Sequence, residues 1–214
     1  MKKMKFGILL VIAVLALVSV ASAALPASVT AAVHFPAGTT DAYFDVDVTN
    51  GGNFDLPNGN NYLGWCADSK IIGLGSGNVY TPYDSRGTLP PMHTVDWNKV
   101  NYIINHKNGA SRGAIQQAIW YYDNGRTTWP GEPYLESEVQ ALITDADANG
   151  ATYVPSVPGE KYMVILWKAT NVQPVVIEVP IPEIPVPEFP TLALPIAMMI
   201  GVVGAVQYVR ARKE

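Results

Sequence analysis

Prolines set the outer limit of what this chain can fold. Pro174, Pro180, Pro182, Pro185, Pro187 and Pro190 crowd one short stretch, and each removes a backbone donor and fixes φ. Residues 174–190 are therefore expected to form an extended, polyproline-like spacer, rising about 3.1 Å per residue. Beyond it, Leu192 to Val209 is 18 residues without a charge, closed by Arg210, Arg212 and Lys213. That length suits a hydrophobic helix over 191–209 that spans a membrane, with a basic tail, 210–214, left in the cytoplasm. A core helix is excluded by position, because the spacer separates it from any core. At the other end Lys2, Lys3 and Lys5 precede an uncharged run of 15 residues from Phe6 to Val20, followed by the small residues Ala21-Ser22-Ala23. The run is short for a span and ends in a cleavage site, so 1–23 reads as an export signal. What remains, 24–173, is enough for one ordinary domain.

Charge and cysteine usage narrow the chemistry of that domain. From Ala24 to Glu188 there are 8 Lys or Arg against 17 Asp or Glu, an acidic surface that repels phosphate backbones and argues against nucleic acid as a partner. Export places the domain where thiols usually pair, yet Cys66 is the only cysteine in the sequence, so no intramolecular disulfide can form. The thiol is either inert or chemically committed. One Cys and three widely spaced His do not give ligand spacing for zinc, and no cofactor fingerprint is present: the glycines of GLGSG lack the spacing and the Lys-Ser/Thr pair of a phosphate loop.

The periodicities predict an α+β fold, a single mixed domain with strands at both ends and about three helices between. Phe44, Val46 and Val48 alternate with Tyr43, Asp45 and Asp47 as in a half-buried strand, with both aspartates on one face. NGGNFDLPNGNN and TPYDSRGTLPP, with Pro82, Pro90 and Pro91, read as loops. Asp96 is a suitable N-cap for a helix with Trp97, Val100, Ile103 and Ile104 on one side, ended by Asn108-Gly109. Ser111 can cap a second helix, whose stripe is Ile115, Ala118, Ile119 and Tyr122 and whose stop is Asn124-Gly125. Gln116 and Gln117 flank that stripe, one expected at its inner margin and the other wetter. Pro133, the stripe Val139, Leu142, Ile143 and Ala146, and Gly150 mark a third helix. Tyr162–Trp167 and Val175–Val179 read as closing strands. Tyr121-Tyr122 and Trp129-Pro130 suit either a sugar-binding surface or ordinary packing.

Two resemblances follow from motifs. The tail PEFPTLALPIAMMIGVVGAVQYVRARKE, with Pro187-Glu188-Phe189, a hydrophobic helix and a basic cluster in order, resembles the PEF-CTERM sorting signal of archaeal surface proteins. That implies a cell-surface protein processed by an archaeosortase-like enzyme, with the membrane engaged by the helix or by a lipid anchor. Tyr62 to Asp123 resembles the thioester domains of surface adhesins. Trp65-Cys66-Ala67 matches the setting of their reactive cysteine, and Gln116-Gln117-Ala118-Ile119-Trp120 matches their TQxA(I/V)W motif, with Ile115 where the family has Thr.

This second resemblance implies an internal thioester between Cys66 and Gln116, opened by an amine or hydroxyl of a surface protein or glycan target. Such chemistry runs once, without turnover, so the chain is not expected to be an enzyme. Two other readings compete. In one the domain is a non-covalent structural or binding module of the cell envelope, with Cys66 a small buried hydrophobe. In the other it is a secreted cysteine hydrolase, with His93 or His106 as base and Asp68 or Asp96 as orienter.

Overall fold

The structure is a computed structural model, and it describes residues 25–35, 43–51, 56, 58–71, 73–75, 77–126, 134–182 and 210–212. The expected export signal, Trp129, Pro133, most of the expected spacer and the expected hydrophobic helix lie outside the described residues.

Six strands close into an antiparallel barrel: β1 (Val29–His34), β2 (Tyr43–Thr49), β3 (Gly59–Cys66), β4 (Val79–Asp84), β5 (Lys161–Trp167) and β6 (Val175–Pro180). Their order around the barrel is β1-β2-β3-β6-β5-β4. Between β4 and β5 the chain forms three helices: α1 (Trp97–Asn105), α2 (Arg112–Asn124) and α3 (Glu136–Asn149). The mixed α+β expectation holds, and the three helices fall where the apolar stripes place them.

Two apolar layers follow from the pleat. Along β5, Tyr162, Val164 and Leu166 join Phe44, Val46, Ile177 and Val179 inside the barrel, whereas Met163 and Ile165 join Val100, Ile103, Ile115, Ile119 and Leu142 under the helices. A strand buried on both faces needs no polar alternation, which is why YMVILW is apolar throughout. β3 obeys the same period of two: Trp65 faces the helical layer and Cys66 the barrel.

Local signals explain the helix ends. Asp96 accepts a hydrogen bond from Lys99 N and caps α1, and Ser111 accepts one from Ala114 N and caps α2, each satisfying a donor left open by the first turn. Gly125, at φ 69°, ends α2 in the left-handed conformation that glycine adopts without steric cost. Glu138 on α3 accepts from both Ser111 N and Ser111 Oγ, at 3.0 and 2.7 Å. This ties α3 to the positive end of α2 and holds the Glu138 carboxyl below its ordinary range.

Three strands depart from the sequence reading. β1 is short and alanine-rich, with little pattern to read. β3 begins in the Asn-Gly stretch expected as a loop; barrel closure overrides the turn preference there. β4 contains Pro82, which was expected in a loop. It pairs with β5 through Pro82↔Leu166, but with β1 only at Val79 and Tyr80, so the missing donor falls where the second neighbour has ended. The spacer also starts later than residue 174, because β6 pairs with β3 and β5 and the compact unit runs through Ile181.

At Gly64 in β3 a Cβ would stand 2.7 Å from Val46 Cγ2 and 3.3 Å from Phe44 Cβ. Gly64→Ala is expected to lower the unfolding free energy by about 1–3 kcal/mol, read from the urea midpoint, because the close approach of β2 leaves no room for the methyl group.

Candidate functional site

Cys66 ends β3, and its backbone meets a side chain from α2. The Cys66 N–H donates to Gln116 Oε1 at 2.9 Å, and Gln116 Nε2 donates back to the Cys66 carbonyl at 3.0 Å. The described pairing of β2 with β3 runs up to Tyr43↔Trp65, and the Gln116 carboxamide takes the hydrogen-bonding edge of the following residue as a strand would. Both residues are buried, Gln116 completely and Cys66 with 4% exposure. A buried carboxamide has four hydrogen-bonding positions to account for, and here the same residue of the facing chain takes one donor and one acceptor.

Gln117 is buried as well, 3% exposed, contrary to the expectation that one glutamine of the pair would be wetter. It points elsewhere, into a cavity of about 30 Å³ between α2 and α3 that Tyr121, Tyr134 and Gln140 also line. Its Oε1 has no hydrogen-bond partner among the described residues, and a cavity of that size holds about one water. The structure thus brings Gln116 to Cys66 and takes Gln117 away from it.

The chain beyond Cys66 is held on both sides. Ala67 N donates to Pro174 O at 3.1 Å, and Gln173 Nε2 donates to Asp68 O at 2.6 Å. On the α2 side Ser69 N donates to Asp123 Oδ2 at 3.3 Å, Ser69 Oγ bonds Asn124 Oδ1 at 2.7 Å, and an Arg126 guanidinium N–H donates to Ser69 O at 3.0 Å. Asp123 is seven residues after Gln116, about two turns or about 10 Å along the same helix face. Trp120 lies between them and packs in the same apolar cluster as Cys66.

Sequence reasoning offered Asp68 as one orienter for His93 but did not foresee Asp123 on the other side of the ring. His93 Nδ1 is 3.4 Å from Asp68 Oδ2 and its Nε2 is in close contact with Asp123 Oδ1. The ring is 35% exposed, whereas the Asp123 side chain is fully buried. Burial pushes the Asp123 carboxyl up to about 6, with His93 and the Ser69 N–H opposing the shift. Asp68 and His93, named for the hydrolase reading, meet directly, and Asp123, which carried no motif, takes the other ring nitrogen.

Other candidate residues have local roles. His106 stacks on Tyr102, ring centroids 3.9 Å apart, at the end of α1. Asp96 is the α1 cap. Asp45 pairs with Arg112 and Asp47 with His34. The Tyr122 hydroxyl donates to Ile143 O and bonds Asp147, joining α2 to α3.

On the outer face of β6, Glu178 is buried and accepts the Trp65 indole N–H at 3.1 Å. Lys107 and Lys161 approach the same carboxylate at 2.7 and 3.0 Å. A buried carboxylate needs such partners. This one orients the residue before Cys66.

No protein-family model matches the chain, and no curated protein matches it. Among solved structures it is similar to the N-terminal thioester domain of a surface protein from Clostridium perfringens, with 11% identity over 70% of this chain and 97% of that one, TM-score 0.39. It is also similar to the N-terminal thioester domain of the fibronectin-binding protein SfbI from Streptococcus pyogenes, with 17% identity over 77% of this chain and all of that one, TM-score 0.43.

The raised Asp123 fixes a sign for pH dependence. A folded-state value of about 6 against an ordinary 3.8 means that the fold favours the protonated carboxyl. Its contribution is full below the ordinary value and is lost as pH rises through the folded one. Asp123→Asn should remove this component: between those two pH values the wild type should lose stability relative to the variant, read as diverging urea midpoints.

Proposed function

We propose that this chain is an exported, surface-anchored adhesion domain in which Cys66 and Gln116 form an internal thioester that captures a target covalently. The observation that carries the reading is the two-point grip of the Gln116 carboxamide on the Cys66 backbone. It holds the amide carbon beside the residue whose sulfur must attack it.

The Cys66 thiol adds through Sγ to Cδ of Gln116. The S–C bond forms, the C–N bond breaks, and the thiol proton leaves with the nitrogen as ammonia. As Sγ adds, charge builds on Oε1, the atom that already accepts the Cys66 N–H at 2.9 Å. A backbone donor aimed at a developing oxyanion is a preorganised stabiliser. Fixed proximity does the rest: an encounter becomes a unimolecular step, with effective molarities that reach about 10⁵ M or more.

In the second half an amine or hydroxyl of a surface protein or glycan attacks the same carbon. The new C–N or C–O bond forms, the C–S bond breaks, and the nucleophile's proton returns to sulfur. Each molecule reacts once, so the domain is a coupling device rather than an enzyme. Burial of both partners, with Trp65 and Trp120 buried on the neighbouring faces, keeps water from hydrolysing the thioester. The export signal, the proline spacer and the PEF-type tail supply delivery and anchoring, with an archaeosortase-like enzyme acting on the tail.

The secreted domain should weigh about 17 Da less than its sequence mass, the loss of ammonia that accompanies thioester formation. Cys66→Ala and Gln116→Ala should each abolish that deficit, while Gln117→Ala should retain it, and methylamine should remove it by opening the bond. A full mass with a titratable thiol would instead mark a non-covalent envelope module, and thiol-probe labelling with substrate turnover would mark a hydrolase.

A further inference from the structure

The His93 cluster holds a proton that its geometry requires. A carboxylate oxygen only accepts hydrogen bonds, and His93 places one ring nitrogen against Asp68 and the other against Asp123. A neutral imidazole has one N–H. It can serve one aspartate, and it then turns a lone pair toward the other. Both contacts are attractive only while the cluster carries one more proton, on the imidazole or on Asp123. Burial pushes the Asp123 carboxyl up, which leaves it able to hold that proton at mildly acidic pH.

What the cluster holds together is the chain that follows the reactive residue. Asp68 is two residues beyond Cys66, its Oδ1 accepts Lys70 N at 2.7 Å, and Asp123 also accepts Ser69 N. His93 approaches from the segment that leads into α1, so it links three parts of the fold at one point. The other charged side chains on the elements packed here are Lys70 on the pinned segment, Arg126 beyond α2, Arg112 at the far end of α2, paired with Asp45, Lys99 on α1, paired with Asp147, and Asp96 at the start of α1. Arg126 is bound to Ser69 O, and Asp96 pairs with Lys99.

We propose that His93 is a positioning residue for the Cys66–Gln116 reaction: while its cluster with Asp68 and Asp123 is protonated it latches residues 67–70 against α2, and deprotonation releases them and opens the Gln116 acyl carbon to a nucleophile. This rests on the thioester reading for its consequence, but the latch itself does not. The buried site must be uncovered before a target nucleophile can reach it, and the segment directly after Cys66 is the one whose fastening depends on pH.

Two measurements test it on the secreted protein. The first is the rate of thioester opening by methoxyamine, an amine of low basicity that stays unprotonated, followed by mass between about pH 5 and about pH 8, the range in which imidazole charge changes. The wild-type rate should climb by about tenfold, the span of one pKa unit. His93→Leu, which can bond neither aspartate and so cannot fasten the segment at any pH, should react fast and with a flat profile. Matching profiles in the two proteins would overturn the latch.

The second is amide hydrogen exchange over 67–70 in Cys66→Ala, corrected for intrinsic exchange. Protection should fall as pH rises, and adding His93→Leu should leave it low throughout. Constant protection across the range would overturn the latch whether or not a thioester forms. A normal protection change without any mass deficit would keep the latch and remove the thioester.

Discussion

The folded domain turns on one pairing, a side-chain amide on α2 that behaves as a strand. Gln116 exchanges one donor and one acceptor with the Cys66 backbone and so joins the barrel to its helical cover at full burial. A polar group at that depth is costly unless paired. Pairing it with the main chain of one residue fixes the helix in position and in rotation, because a small slide along its axis would break both bonds together. Trp120 and Asp123 then fall one and two turns further along the same face, over the barrel end and against Ser69.

The two apolar layers make that docking rigid. β5 and β6 are buried on both sides, so the barrel interior and the helical layer share a wall, and the residues flanking the site take opposite sides of β3. Trp65 is held on the helical side by the indole bond to Glu178, whose carboxylate is in turn neutralised by Lys107 and Lys161. Cys66, next in the strand, is thereby directed into the barrel cluster. The arrangement uses a buried carboxylate to aim an aromatic ring, and the pleat to aim the sulfur.

Much of the helical half is legible in residue order. Ser111 and Asp96 are caps because their short side chains reach open N–H groups of the first turn, and Gly125 ends α2 because its φ is positive. These are local effects and depend on near neighbours in the chain. Less of the barrel is legible. GNNYLGWC has the Asn and Gly content of a turn, and VYTPYD carries a proline, yet both become strands because neighbouring strands supply the hydrogen bonds and the interior supplies the burial. Pairing energy between distant segments overrides a local preference of a few tenths of a kcal/mol.

Sequence by itself determined the chemistry on offer: a single thiol, a pair of glutamines on a capped helix, and an acidic domain bounded by a signal-like start and a proline-rich end. Tertiary structure decided which atoms meet. That Gln116 and not Gln117 reaches Cys66 follows from the rotation of α2 on the barrel, and neighbouring residues on a helix point about 100° apart whatever their shared composition. That His93 lies between two carboxylates is likewise a matter of packing, since 25 residues separate it from Asp68 and 30 from Asp123. Periodicity reports which face is apolar; contact between distant polar groups is set only when the layers close.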